Sequence, residues 1–184
     1  TYAVARIRAL ETALFTSATL DQLMACQTEE QCLQLLQEKG WGGADTPVNA
    51  EAILTREQEK IWENIKDLGV DMSVFDVLSY PNMFHNLKAA IKDVCTEENG
   101  KTMNIYYDDT AVSPDEMLEI VRSKDFSRLP KYMAGAAKEA YETLLHTRDG
   151  QLCDVIVDKA ALEAIYAAGK EAKDSIIKDY AEST

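Results

Sequence analysis

The chain has few of the residues on which metal and nucleophile chemistry depends. It contains 2 His and 4 Cys, and no two of the cysteines form a CxxC pair. Cys32, Cys95 and Cys153 stand beside apolar residues, which favours small buried side chains over a zinc site or a disulfide framework. We therefore expect no metal, no cofactor and a reducing, cytoplasmic setting.

The sequence also lacks a long apolar run. No stretch approaches the ~18 apolar residues of a membrane-spanning helix, and the N-terminus shows no signal peptide and no initiating Met. The missing Met leads us to expect a fragment of a longer chain. A formal net charge of -13 argues against a nucleic-acid or anionic-lipid surface, which requires clustered Lys and Arg. The acidity either suits a basic partner or simply solvates the surface.

The sequence is rich in amphipathic helix patterns that are separated by start and stop signals. The predicted N-terminal caps are Thr19, Thr28, Asn49, Asp71 and Ser113. The predicted fold class is all-α, with roughly eight helices in successive hairpins. We predict a first helical unit over residues 1–100, a turn at Asn99–Gly100, and an incomplete second unit over 101–184, unless both pack as one domain. Met103–Tyr107 is predicted to be a linker.

The last segment is predicted to be one long helix that reaches Tyr180. Its apolar stripe has coiled-coil-like spacing and consists of Leu162, Ile165, Gly169, Ala172 and Ile176. The small residues would let another helix approach closely. If the chain is a fragment, the missing half would pack on this face in the longer protein. In the fragment the face would be exposed, and two copies could form a dimer through it. Full burial of these positions in a compact monomer would weaken the fragment interpretation.

A catalytic site requires converging groups with perturbed proton affinities, and the sequence offers no such set. Gly42–Gly43 lacks the rest of a phosphate-binding loop. His85 is expected to be a capping or surface imidazole, and His146 lies in the last turn of a helix, where a cation is favourable. Ser113 is explained by its role as a cap. The acidic pairs Asp108–Asp109 and Glu97–Glu98 are expected by chance in so acidic a chain.

Two groups of basic residues stand out from the acidic background. Arg6 and Arg8 open the chain, and Lys88 and Lys92 lie one turn apart on the helix that follows His85. Each group is either a solvated face or a partner contact. The partner-binding residues stay unassigned at this point.

Several segments, taken in order, resemble a known family. The chain begins with a helix containing Arg6 and Arg8 and continues with Leu20–Leu23 and a helix that ends in Gly40–Trp41–Gly42. The central segment is Phe84–Lys88, and Met83 occupies a position where the family has Asp. Later segments are Ser113–Leu118, Leu129–Tyr132 and Cys153–Asp154 or Asp158, which lead into a long helix. This order is similar to that of the C-type subunit family of V-type (V/A-type) ATPases, whose eukaryotic relatives are the d-type subunits.

The resemblance implies an all-helical, three-unit funnel. This chain would match its N-terminal half and would be either a fragment or a short variant. It implies a non-catalytic rotor adaptor on the cytoplasmic face of the membrane, with the central-stalk subunits and the membrane proteolipid ring as partners. Such a protein supports ATP-driven proton or sodium transport. The alternatives are a helical scaffold or regulator outside any ATPase, and an enzyme, which would need a deep pocket lined by titratable groups.

Overall fold

The computed structural model describes residues 2–96 and 105–184. Within these ranges the chain forms nine α-helices and two 3-10 helices, and it has no strand. The α-helices are α1 (Tyr2–Glu11), α2 (Ser17–Met24), α3 (Glu29–Glu38), α4 (Ala50–Asp67), α5 (Tyr80–Thr96), α6 (Pro114–Ser123), α7 (Lys131–Thr147), α8 (Gly150–Glu171) and α9 (Ser175–Ser183); the 3-10 helices are Met72–Ser79 and Phe126–Arg128. The prediction of an all-α fold is confirmed, and the number of helices is close to the expected one.

The chain divides into two compact units, residues 1–72 and 73–184. The predicted boundary at residue 100 and the predicted turn at Asn99–Gly100 lie outside the described residues. The same holds for the first part of the predicted linker. Its last residues, 105–107, have no regular secondary structure.

Three of the predicted helix caps are confirmed. The side chain of Thr28 accepts a hydrogen bond from the amide of Gln31 at 3.3 Å. The side chain of Asn49 accepts a hydrogen bond from the amide of Ala52 at 2.8 Å, and Ser113 caps α6. Each side chain satisfies an amide in the first turn of a helix, which otherwise has no acceptor. These contacts span only a few residues, so the local sequence is sufficient to predict them.

The predicted cap at Thr19 is wrong. The cap of α2 is Thr16, whose Oγ1 accepts a hydrogen bond from the amide of Thr19 at 3.3 Å, so the helix begins at Ser17. Both threonines fit the pattern of a capping residue. Thr16 is the cap, because the amide of Thr19 lies at the third helical position and donates to the Thr16 side chain.

The first unit has a small interior. Leu33 and Ile53 are its buried large side chains. The loop between α3 and α4 packs on them through Gly42, whose amide donates to Glu57 Oε1 at 2.8 Å. Gly42 has a φ of +78, and a Cβ at this position would come within 3.5 Å of the Ile53 side chain. Glycine is therefore favoured here by the left-handed backbone conformation, whereas the added Cβ would make only an ordinary van der Waals contact.

The second unit has a continuous core around α5. This helix contacts α6, α7 and α8, and its buried face includes Met83, Phe84, Leu87 and Ile91. The facing helices add further buried apolar side chains, Met117, Ile120, Val121, Met133, Ala137, Ala140, Cys153 and Val157. Removal of this apolar surface from water is the main force that holds the unit together.

The long last helix of the prediction is instead two helices. α8 ends at Glu171, Ala172 has an extended backbone with ψ of 138, and Asp174 caps α9 by accepting from the amide of Ile176 at 2.8 Å. The apolar spacing continues across the break, which is why periodicity alone does not detect it. The signal for the break is Asp174, a helix-capping residue inside the pattern.

The predicted apolar stripe is divided by this break. Ile165 and Gly169 are buried, and they pack against Ile177 and Ala181 of α9. Ile176, in contrast, is 73% exposed. The close helix approach that the small residues predicted is therefore made by α9 of the same chain. A dimer through this face stays a prediction.

The first testable prediction concerns Gly169. A Cβ at this position would overlap the Cβ of Ala181, which is fixed to the backbone of α9. We expect Gly169→Ala to destabilise the chain by about 1–3 kcal/mol, because α9 must move away from α8. The free energy of unfolding, measured in urea, tests this.

The matched control is Gly135→Ala in α7, where nothing lies within 4 Å of an added Cβ. Alanine there should stabilise the chain by about 0.5–1 kcal/mol through helix propensity. Adding Ala181→Gly to Gly169→Ala should recover part of the lost stability, because it removes the overlapping methyl group. Equal effects of the two glycine substitutions would contradict this account of the α8–α9 contact.

Candidate functional site

The polar contacts between α5 and α8 bring together several residues that the sequence singled out. Lys88 Nζ lies 2.6 Å from Asp158 Oδ1, and Lys92 Nζ lies 2.8 Å from Asp154 Oδ2. The two lysines are four residues apart on α5 and the two aspartates are four residues apart on α8. The two helices run antiparallel, so the pairs form consecutive rungs of one ladder. We call these four residues the α5–α8 ladder.

The ladder changes the interpretation of the two lysines. The sequence left open whether they belong to a solvated face or a partner contact, and the structure uses both of them to join two helices of the same chain. Their side chains are only partly exposed, 24% for Lys88 and 32% for Lys92. The sequence does contain a signal for this pairing, because the Lys-x-x-x-Lys spacing of α5 matches the Asp-x-x-x-Asp spacing of α8. That signal becomes visible only when the two helices are placed side by side.

The two arginines of α1 have different roles. Arg8 Nη1 pairs with Glu11 Oε2 at 2.7 Å on the exposed surface of α1. Arg6 Nη2 donates to Asn64 Oδ1 at 3.2 Å and thereby joins α1 to α4. Exposed contacts of this kind contribute little stability, about 0–1 kcal/mol each. Both arginines stay accessible to a partner.

Asn86, in the central Phe84–Lys88 segment, is a fully buried polar residue. Its Nδ2 donates to Tyr107 O at 2.8 Å and to Thr110 Oγ1 at 3.1 Å, and its Oδ1 accepts from Tyr107 N at 2.9 Å. The amide therefore holds the segment before α6 against α5. A buried amide with both ends satisfied fixes this segment in one register.

His85 and Asn82 are further contacts between α5 and the same segment. His85 Nε2 lies 2.9 Å from Ile105 O, and its ring meets Tyr107 edge-on with centroids 5.0 Å apart. Asn82 Nδ2 donates to Asp109 Oδ1 at 3.3 Å. Neither residue caps α5, which begins at Tyr80 directly after a 3-10 helix. His85 therefore does not cap the helix; it is a partly exposed residue that makes a tertiary contact with this segment.

A second buried polar pair anchors the segment near the other end of α5. Tyr106 Oη donates to Asp93 Oδ2 at 2.7 Å. Burial, and then this hydrogen bond and the charge of Asp93, raises the pKa of Tyr106 well above its ordinary value. Tyr106 therefore stays protonated and keeps donating to Asp93 under neutral and mildly alkaline conditions.

An apolar groove of about 400 Å³ lies beside the ladder. Its walls are formed by Phe84, Leu162 and Ile165, and the Lys88–Asp158 pair lies at its edge. The groove is open to solvent. The described residues contain no group of three or more His, Cys, Asp or Glu side chains that could hold a metal ion. The described helices also include none that is long and apolar enough to cross a membrane.

One side of α8 carries an exposed apolar surface. It consists of Leu152, Val155, Leu162 and Tyr166, all exposed, with Val155 at 61% and Leu162 at 51%. The spacing places them along one side of the helix. We call this set the α8 stripe. Lys159 and Glu163 lie along the stripe, 3.8 Å apart. A linear apolar face of this kind is typical of a helix that packs against another helix.

The whole chain was compared with known proteins. The family model described as ATP synthase (C/AC39) subunit matches residues 3–184. Neither the comparison with curated proteins nor the comparison with solved structures gives a match. The family match extends over both units and agrees with the resemblance that the ordered sequence segments showed.

The second testable prediction concerns Asn86. Replacement by Ala removes three hydrogen bonds and leaves the backbone polar groups of Tyr107 without their partners. We expect a loss of about 2–4 kcal/mol in the free energy of unfolding. Asn86→Asp should also destabilise, although it has the same shape, because a carboxylate cannot donate to Tyr107 O.

The control for Asn86 is Asn82→Ala, one turn earlier on the same helix. Asn82 makes a single hydrogen bond of 3.3 Å near the surface, so its loss should change the stability by at most about 0.5 kcal/mol. Urea denaturation of the three variants gives the comparison. Similar losses for Asn86→Ala and Asn82→Ala would show that the buried amide does not anchor the segment.

Proposed function

The chain belongs to the ATP synthase (C/AC39) subunit family, and from this we propose that it is a non-catalytic adaptor of the rotor in a V/A-type ATPase. In this role it links the central stalk of the soluble head to the proteolipid ring in the membrane. It lies on the cytoplasmic face and passes torque between the two parts, and so supports ATP-driven proton or sodium transport. The observation that carries the proposal is the family match over residues 3–184.

The construction of the second unit supports a torque-transmitting role. Such a part must resist shear between its helices, and the interdigitated side chains of the core resist sliding because they would have to unpack. The α5–α8 ladder adds two charged contacts that hold one register. Asn86 fixes the segment before α6 in the same way. Each of these contacts has to break before the helices can slide past one another.

The α8 stripe supports the presence of a protein partner. Its exposed side chains Leu152, Val155 and Leu162 would lose water-accessible apolar area on contact with a helix of another subunit. We propose that this face binds a helix of a stalk or ring protein. Lys159 and Glu163 offer charges of both signs at the contact, which would help to set its register.

The third prediction tests the adaptor role itself. Purified chain, added to a V/A-type ATPase from which its own C/AC39 protein has been removed, should associate with both the stalk subunits and the ring. ATP hydrolysis should then drive ion movement, whereas the complex without the adaptor hydrolyses ATP without transport. Co-purification and ion flux into vesicles are the two measurements. If neither the stalk subunits nor the ring co-purifies with the chain, the adaptor role is excluded and an independent scaffold is favoured.

The fourth prediction tests the α8 stripe. Val155→Glu and Leu162→Glu place a charge in the middle of the proposed contact and should reduce association with the partner protein by about tenfold or more each. The matched control is Leu145→Glu, an exposed apolar residue of α7 at 40% exposure.

All three variants should fold with stabilities within about 0.5 kcal/mol of the parent chain, because their sites are exposed. Circular dichroism melting checks this before binding is measured. Equal binding by the Leu145 and Leu162 variants would mean that the stripe is not the contact.

A further inference from the structure

Two of the four cysteines lie together in the turn between α2 and α3. Cys26 is in the turn, two residues before the cap of α3, and Cys32 is in the first turns of α3. Both are half-buried. Thr28 Oγ1 accepts from the amide of Gln31 at 3.3 Å, and Gln31 Oε1 accepts from the amide of Gln27 at 3.0 Å. These reciprocal bonds fix the path of the chain between the two cysteines.

The two thiols bind neighbouring carbonyl groups at the end of α2. Cys26 Sγ donates to Gln22 O at 3.4 Å, and Cys32 Sγ donates to Leu23 O at 3.6 Å. The amide of Cys26 also donates to Leu23 O, at 3.2 Å. The last carbonyls of a helix lack amide partners within the helix, and here the thiols supply donors. Because the acceptors are consecutive, both sulfur atoms are held at the same end of α2.

The two thiols are also close enough for Cys32 to affect the proton affinity of Cys26. Burial, and then a hydrogen bond and charge interaction with the Cys32 thiol, raises the pKa of Cys26 above its ordinary value. The geometry of the turn, with its fixed path and consecutive carbonyl acceptors, leads to the same conclusion.

We propose that Cys26 and Cys32 are a reversible dithiol–disulfide pair that reacts with small-molecule disulfides such as oxidised glutathione. The Cys32 thiolate attacks one sulfur of the oxidant, and a glutathione thiolate leaves. The Cys26 thiolate then attacks the sulfur of Cys32 in the mixed disulfide, and the second glutathione leaves. The two protons of the protein thiols end on the two glutathione molecules, and the protein is oxidised by two electrons. This inference does not depend on the proposed function.

The other two cysteines differ in environment. Cys153 is fully buried in the core of the second unit, and burial, together with the charge of Asp154, raises its pKa to about 11. Burial also raises the pKa of Cys95. Cys153 has no exposed surface in the folded chain, so a dissolved disulfide cannot reach its sulfur atom. Cys95 and Cys153 are internal controls for the first pair.

The test is oxidation of the folded full chain with an excess of oxidised glutathione, followed by acid quenching, alkylation and tryptic mass spectrometry. Cleavage after Arg8 and Lys39 releases residues 9–39, which contain Cys26 and Cys32 and no other cysteine. We expect this peptide to be lighter than the dithiol form by about 2 Da, and dithiothreitol should restore its original mass. Cys95 and Cys153 should be recovered as free thiols.

Two comparisons make the test specific. Cys26→Ser and Cys32→Ser should stop at a single glutathione adduct of about 305 Da, because no second thiol resolves it. The wild-type chain is also unfolded in guanidinium and treated with the same ratio of oxidised to reduced glutathione. Its ratio of internal disulfide to dithiol should be at least about tenfold lower, because the turn no longer holds the sulfur atoms near each other. Stable glutathione adducts on the folded wild type, or an equal ratio in the unfolded chain, would overturn the proposal.

Discussion

The antiparallel register of α5 and α8 is the constraint on which the second unit depends. The apolar core around Phe84 and Ile91 supplies most of the free energy, but burial of apolar surface has no preferred direction. The α5–α8 ladder does have a direction, because Lys88 can meet Asp158 while Lys92 meets Asp154 in only one alignment. Partly exposed ion pairs add little net stability. Their main effect is to exclude other alignments of the same helices.

How well the fold can be predicted depends on the sequence distance over which each feature is encoded. The caps at Thr28, Asn49 and Ser113 involve contacts over three residues, and the local pattern predicts them. The break after α8 escapes the pattern because the apolar spacing continues through Ala172 into α9. A periodic stripe records which positions are apolar, but not whether one straight helix carries them all.

The candidate site can be predicted only in part, for a similar reason. The lysines of α5 stand out in an acidic chain, but their partners lie more than sixty positions further along the sequence. Asn86 stands out only as part of a family resemblance, and its contacts with Tyr107 and Thr110 depend on how the segment before α6 folds back. Residue type indicates the chemistry of such groups, while the tertiary fold decides whether they face a partner or one another.

The two units rely on different means to hold their helices, and this difference bears on function. The second unit has a continuous core, whereas the first buries Leu33 and Ile53 and adds contacts of its loops and turns, such as the stacked rings of Phe15 and Trp41 and the bond of Gly42 with Glu57. Because the core is small, each such contact contributes a larger fraction of the free energy of unfolding. A covalent bond between Cys26 and Cys32 would therefore matter more in the first unit than a bond of equal strength would in the second. A stiff second unit suits transmission of force, and a first unit held by turn contacts suits adjustment by a partner or by oxidation.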